Sequence, residues 1–223
     1  MDIKEAILKR HSVRRYTDQK IQGDTLQQLN ECIAACNRES GLHIQLCLEE
    51  PQAFDSMMAR YGKFENVRNY IALVGKKSAQ FEEKCGYYGE RIVLLATQLG
   101  LQTCWVGMSY KKSKSTAVIE RGEKLLLVIA IGYGQTSGVS HSTKPLSKIS
   151  RVEGEMPDWF RHGMEAVKLA PTAVNQQKFM FELRDGQVSA TAQKAFYSKV
   201  DLGIAKYHFD CVQPSPYFSY TAE

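Results

Sequence analysis

The chain has 223 residues, 43% hydrophobic and 24% charged, with six prolines, which places it among ordinary globular proteins and outside the disordered, collagenous and disulfide-rich classes. Its net charge of +5 comes from 29 basic against 24 acidic residues without the Lys/Arg block of a nucleic-acid arm, a balance that suits a small anionic ligand better than DNA. At this length one compact domain, or two closely merged lobes, can bury a core.

In chain order, Met1-Asp2-Ile3-Lys4-Glu5 carries no apolar signal core, and a cytoplasmic location is expected. Ile3, Ala6 and Ile7 predict a short amphipathic helix that stops near His11-Ser12. Leu26, Leu29, Ile33 and Ala34 predict a second helix after Gly23-Asp24. His43 to Leu48 alternates as a strand, and Tyr70 to Gly75 reads as a more buried one. From Tyr87 to Leu101 the sequence is apolar on nearly every side, so this helix should run through the middle of the protein and end at Gly100. Leu125 to Ile131 is a third buried strand, too short to cross a bilayer. Between Gly134 and Pro157 the composition turns to Ser, Thr, Gly and Lys, marking a ligand loop, a connector to a second lobe, or both. Asp158 opens another amphipathic helix that Pro171 ends. Phe179 to Leu183 and Val188 to Thr191 form a hairpin around Asp185-Gly186, and a last helix lies near Leu202 to Cys211. The succession of helix, strands and helix in the first half recurs, shortened, in the second.

Six cysteines (Cys32, Cys36, Cys47, Cys85, Cys104 and Cys211) show no CxxC and no zinc spacing, so they are read as reduced thiols. No metal is expected. Cys32 and Cys36, one helical turn apart, are read as small buried hydrophobes rather than a redox or metal pair.

Four segments carry the residue types of a phosphate and heterocycle site. Arg10-His11-Ser12-Val13-Arg14-Arg15-Tyr16 brings three guanidinium groups and a hydroxyl together where a helix becomes a loop. Arginine forks match phosphate oxygens, although a solvated basic surface has the same composition. His141-Ser142-Thr143-Lys144-Pro145 is a second polar, basic cluster, or simply a loop. Gly100-Leu101-Gln102-Thr103-Cys104-Trp105-Val106-Gly107 ends on a glycine whose backbone can approach a planar ligand, with Trp105 either at the site or in the core. Ala170-Pro171-Thr172-Ala173-Val174-Asn175-Gln176-Gln177 offers amides after a helix stop, where they either read a heterocycle edge or end the helix.

Together and in this form, the four segments resemble motifs of the FMN-dependent nitroreductase superfamily. The Arg10 to Tyr16 run is similar to its entry motif, Tyr88-Gly89-Glu90 through Gly107 to its central helix and Gly-Leu-Gly-x-Cys-Trp-Ile-Gly ending, Gly132-Tyr133-Gly134 with His141 and Lys144 to its strand end and phosphate loop, and Ala170 to Gln177 to Ala-Pro-Ser-Ala-x-Asn-x-Gln. In ordinary members the Pro-Ser-x-x-Asn motif follows the first long helix, where this chain has Ala35-Cys36-Asn37-Arg38-Glu39-Ser40. Its displacement past residue 169 resembles the TM nitroreductase branch, in which the second half of one chain plays the opposite subunit. Lys178-Phe179 stands where Pro-Trp is usual.

The resemblance implies an α+β nitroreductase-like fold, a central mixed or antiparallel sheet covered by helices, with two pseudo-symmetric lobes (1–150 and 151–223) in a monomeric pseudo-dimer, a homodimer being the alternative. It implies FMN, one per chain, and NADH or NADPH as donor to a small-molecule acceptor such as a nitroaromatic or quinone. Arg10 and Ser12 would hold the phosphate or ribityl chain, Arg14 the pyrimidine oxygens, Lys144 with His141 or Ser142 the phosphate, and Lys63 the N1/O2 side. Gly107 would present its backbone near N5, the one position given a part in the chemistry. Thr172, Asn175 and Gln177 would close the site, with His11, Trp105, Val106 and Pro171 beside the cofactor. A flavin-binding protein with little turnover, and a dehalogenating or flavin-modifying enzyme, are the alternative readings. The absence of a strand-linked GxGxxG favours FMN over FAD.

Overall fold

A computed structural model describes residues 1–220. The first helix, α1 (Ile3–Lys9), is capped by Asp2, whose carboxylate accepts from the Glu5 amide at 2.8 Å. At Arg10 the backbone turns extended, and the following residues run beside the central sheet, with the Val13 amide donating to Thr103 O at 3.0 Å. This docking fixes Ser12 and Arg14 at the sheet edge.

The remainder of the first half supplies α2 (Gly23–Ser40), β1 (Gln45–Cys47), the short α3 (Met57–Tyr61), β2 (Tyr70–Lys76), α4 (Phe81–Gln98), β3 (Gln102–Val106) and β4 (Glu123–Gly132). The four strands pair antiparallel in the order β1-β2-β4-β3. Period-two alternation divides them between two cores. Ile71, Leu73, Ile129 and Ile131 face α2 and α4, whereas Tyr70, Ala72, Val74, Val128 and Ala130 face Phe54, Phe64, Val67 and Tyr110 of the loops. The alternation breaks at one point: Leu73 pairs with Leu127 but Val74 with Leu125, leaving Leu126 as the extra residue of a β-bulge. Leu126 and Leu127 therefore both join the core on the α4 side.

The second half adds β5 (Ser150–Val152), α5 (Asp158–Val167), β6 (Phe179–Arg184), β7 (Gln187–Ala192) and α6 (Ser198–Asp210). Asp185 and Gly186 both take positive φ (50° and 73°) in the β6–β7 turn, as a two-residue hairpin of this twist requires. The two halves share one core: Ile33, Ile92 and Ile129 belong to the same apolar cluster as Phe160, Phe181 and Phe209. Within it α4 and α6 cross so closely that a Cβ on Gly203 would lie 2.0 Å from Glu83 O, and one on Gly86 2.1 Å from Val200 O.

Several expectations need correction. Residues 102–106, for which no strand was expected, form the edge strand β3; a five-residue strand between glycines carries little periodic signal. The polar stretch before Pro157 contains β5, which pairs parallel with β6. The central helix begins at Phe81 rather than Tyr87, and the last at Ser198 rather than near Leu202. The first strand keeps only residues 45–47 of the six expected. The central sheet is antiparallel, as expected, but the second half forms a separate three-stranded sheet with a parallel pair and does not repeat the strand pattern of the first. The six cysteines are free thiols, and no cluster able to hold a metal ion occurs among the described residues.

Candidate active site

The ends of β3 and the Ser12–Arg14 segment meet the second half at a cavity of about 140 Å3. Ser12, Arg14, Trp105, Val106 and Gly107 line it from the first half, and Pro171, Thr172, Ala173 and Val174 from the second. Leu127, next to the bulge, closes its floor, while Tyr197, Val200, Asp201 and Ile204 form an α6 wall. Gly107 is required by packing: a Cβ there would lie 2.5 Å from the Tyr197 ring, and Tyr197 Oη donates to Gly107 O at 3.1 Å.

The strap over this cavity is strained. Val174, Asn175 and Gln177 have φ of 45°, 56° and 47°, and Tyr197, just before α6, has 56°. Asparagine tolerates the left-handed region, but for β-branched Val174 such a conformation costs ~1–3 kcal/mol and persists only where the surroundings over-determine it. Here they do. Asp201 Oδ1 accepts from the Ala173 amide at 2.9 Å, and its Oδ2 from Gln176 Nε2 at 2.7 Å. Thr172 Oγ1 accepts from the Gln177 amide, Asn175 Nδ2 donates to Ser142 O at 2.9 Å, and Lys144 Nζ donates to the carbonyls of Gln176 and Gln177 at 2.7 and 2.9 Å.

The other predicted residues are arranged around this centre. Asn175, Gln177, Ser142 and Lys144 form the mutually bonded strap just described; Lys144 is held below the usual lysine range by burial and by the Lys178 charge. Lys63 is exposed on the loop that follows α3 and is not among the lining residues, although Phe64 and Glu65 next to it touch Arg14: the Arg14 guanidinium lies 5.9 Å from the Phe64 ring, and the Glu65 amide donates to Arg14 O at 2.9 Å. Arg10 and His11 line a second cavity of about 430 Å3 with Gln102 and Ser137. Burial, with the Arg10 charge, keeps the imidazoles of His11 and His141 below the usual histidine range, so Arg10 carries the charge of this corner and the two imidazoles stand beside it as neutral hydrogen-bonding groups.

Arg10 itself is 4% exposed, with its Nε 3.8 Å from Glu90 Oε1 and, among the described residues, without a hydrogen-bond partner. Glu90 is fully buried on α4, where its two oxygens accept from Trp105 Nε1 and face His208 Nε2, both at 2.9 Å. The other nitrogen of His208 faces Ala166 O at 3.1 Å. One carboxylate thus joins α1, α4, β3 and α6, and holds the ring of Trp105 at the cavity wall.

Sequence reasoning assigned no role to Glu90, His208, Tyr197 or Asp201. The available signal was an acid inside an apolar helix: Glu90 amid Ile92, Val93 and Leu94, and Asp201 between Val200 and Leu202. A buried carboxylate must be paired, so each marks a contact to some distant element.

Burial pushes the Asp201 carboxyl up to about 6 against its two hydrogen bonds. The ordinary value is about 3.9, so as pH rises from about 4 to about 6 the unfolded chain gives up this proton first and the fold loses about 2–3 kcal/mol of stability. Urea unfolding of wild type and Asp201→Asn across this range should show their stability difference shifting by that amount against wild type. A constant difference would mean that the carboxyl titrates normally.

A four-stranded antiparallel sheet whose edge strand meets a cavity shared between two halves of an α+β chain is an arrangement of the nitroreductase type. The chain belongs to the family described as "putative TM nitroreductase", which it matches over residues 2–212. Among solved structures it is similar to a putative nitroreductase of Thermotoga maritima (24% identity, 95% of this chain and 83% of that one, TM-score 0.69). It is also similar to a putative nitroreductase in complex with FMN from Desulfovibrio desulfuricans (18% identity, 70% and 96%, TM-score 0.53). A nitroreductase family protein of Streptococcus pneumoniae is a further likeness (16% identity, 66% and 98%, TM-score 0.52). At these identities the likeness is one of fold. No curated protein matches the chain significantly. No described helix is long and apolar enough to cross a membrane.

Proposed function

We propose that the protein is an FMN-dependent NAD(P)H oxidoreductase of the nitroreductase type, with one flavin per chain in the cavity between its halves. The observation that carries this reading is the meeting of Ser12, Arg14 and the 105–107 segment with Pro171 and Thr172 of the same polypeptide at one cavity. Family membership and the FMN complex of the Desulfovibrio protein support it.

The donor set fits a flavin. Ser12 and Arg14 offer a hydroxyl and a guanidinium fork at one end of the cavity, suited to the ring's oxygens and the ribityl chain. Arg10 and His11 border the second cavity, where the guanidinium charge and a neutral imidazole would suit a terminal phosphate. Gly107 carries no side chain of its own at the cavity wall, where the Tyr197 ring packs beside it. When bound, FMN supplies two-electron redox chemistry, coupling oxidation of NADH or NADPH to reduction of a small-molecule acceptor such as a nitroaromatic or quinone, each taking the same place in turn. The protein's part is to hold the ring between the 104–107 strand end and the strap and to keep Trp105 fixed through Glu90. Arg14, which lines the cavity, would hold the ring's oxygens, and its positive charge would favour an anionic reduced ring. No protein nucleophile is required.

The test is the identity and stoichiometry of the flavin. Denaturation of the purified, flavin-loaded protein should release FMN, at one per chain on titration, and NADH or NADPH should bleach it. Release of FAD, or saturation at one flavin per two chains, would overturn the proposal.

A further inference from the structure

Beside the cavity, and sharing Gly107 and Tyr197 with it, lies an open groove of about 810 Å3. It has an apolar and a cationic part. Met108 and Phe196 stand on it 65% and 49% exposed, and Tyr110 and the bulge residue Leu126 complete its apolar lining. Phe196 packs edge-on to Tyr197 at 5.9 Å, and its carbonyl accepts from Gln176 Nε2 at 2.9 Å, so the strap holds this aromatic pair in place. A large aromatic and a methionine left in water beside a fixed ring form a surface whose burial by a ligand is favourable.

Lys112 and Lys124 supply the cationic part. Burial, and after it the charge of Lys124, holds the Lys112 ammonium below the usual lysine range, and both lysines line the groove. Lys112 donates one hydrogen to Leu125 O, and an ammonium has three. Glu82 also lines the groove, but the group it perturbs is Tyr197. Two ammonium groups thus face one carboxylate, with the positive charge concentrated at the end formed by Lys112 and Lys124. An anion placed there would relieve the repulsion between them.

We propose that this groove is the substrate subsite and that it takes a planar aromatic ring carrying an anionic substituent. The ring lies along Phe196, Met108 and Tyr197, and its carboxylate or equivalent anion rests at Lys112 and Lys124. Its reducible edge then faces Gly107 and Tyr197, the two residues that the groove shares with the flavin cavity. The turnover half of this inference rests on the flavin reading; the binding half does not. An acidic acceptor and the phosphate-bearing nicotinamide nucleotide share this chemistry, and the kinetic arms below separate them.

The experiment compares 4-nitrobenzoate with neutral 4-nitrobenzamide, using calorimetric Kd and steady-state KM on flavin-loaded protein. Lys124→Met and Lys112→Met are the test variants, and Lys114→Met, which removes the same charge nearby but outside the groove, is the control. The Kd and KM for the acid should rise about ten-fold in each test variant, the scale of one lost charge-assisted hydrogen bond. The amide should change less than about two-fold, and Lys114→Met should match wild type. A rise in KM for NADH with the acid unchanged would assign the anion site to the nucleotide and overturn the acceptor assignment. Equal losses for acid and amide, or the same loss in Lys114→Met, would overturn the subsite altogether. If the protein proved to lack flavin turnover, the calorimetric comparison would still decide the groove on its own.

Discussion

Replacement of Glu90 by alanine is expected to destabilise the protein by about 3–5 kcal/mol, the cost of breaking a buried ion pair from one side. Glu90 has no exposed surface, and its carboxylate is the common partner of Arg10, Trp105 and His208. Without it the guanidinium of Arg10 keeps its charge in a dry interior, and the indole N–H loses its acceptor. Urea denaturation should show the loss. The conservative Glu90→Gln variant should recover part of it, because the amide still accepts on one oxygen while its NH2 must face a donor. A second readout follows from position: Trp105 lines the cavity, so Glu90→Gln should also alter indole fluorescence and weaken flavin binding in protein that remains folded. A stability change below about 1 kcal/mol for Glu90→Ala would show that Arg10 finds another partner or reaches solvent.

Gly203→Ala should cost about 3 kcal/mol, at the upper end of ordinary overpacking. The added methyl would meet the carbonyl oxygen of Glu83 at 2.0 Å and the Tyr87 amide nitrogen at 2.8 Å, and neither can turn away as a side chain would. Helices α4 and α6 must separate to admit it. Because Tyr197, Asp201 and Ile204 stand on or beside α6 and form a wall of the cavity, flavin affinity should fall along with thermal stability. Gly86→Ala, on the opposite helix against Val200 O, should behave alike. Wild-type stability in either variant would mean that the helix crossing yields easily. The strap would then be held by Asp201 rather than by the position of α6.

The residues that announced structure early were those whose signal is local. Gly100 takes a φ of 81° just past its helix, and Asp185-Gly186 turns the hairpin, each within a few residues of the element it bounds. Buried runs such as 70–75 and 125–131 were legible as strands because they are apolar on both faces, which only a covered sheet accommodates. The candidate site was legible in part. Ser12, Arg14, Trp105, Gly107, Pro171 and Thr172 meet at one cavity, whereas Arg10 turns inward to Glu90 and Asn175 turns to Ser142. Composition does not reveal which way a side chain turns.

By itself, then, the sequence determined the order and character of most elements, the polar segments that carry chemistry, and the family whose motifs they resemble. These depend on helix periodicity, glycine's access to positive φ and the donor inventory of single side chains, all short-range properties. Tertiary structure alone decided that β3 joins a four-stranded sheet and that a bulge at Leu126 places two successive leucines toward the same core. It likewise decided that α4 and α6 meet glycine to backbone and that Glu90 and His208, 118 positions apart, share a hydrogen bond. The reason is that a carboxylate in an apolar helix states a need for a partner without naming it. The partner is set by which faces must be buried against each other once the whole chain collapses.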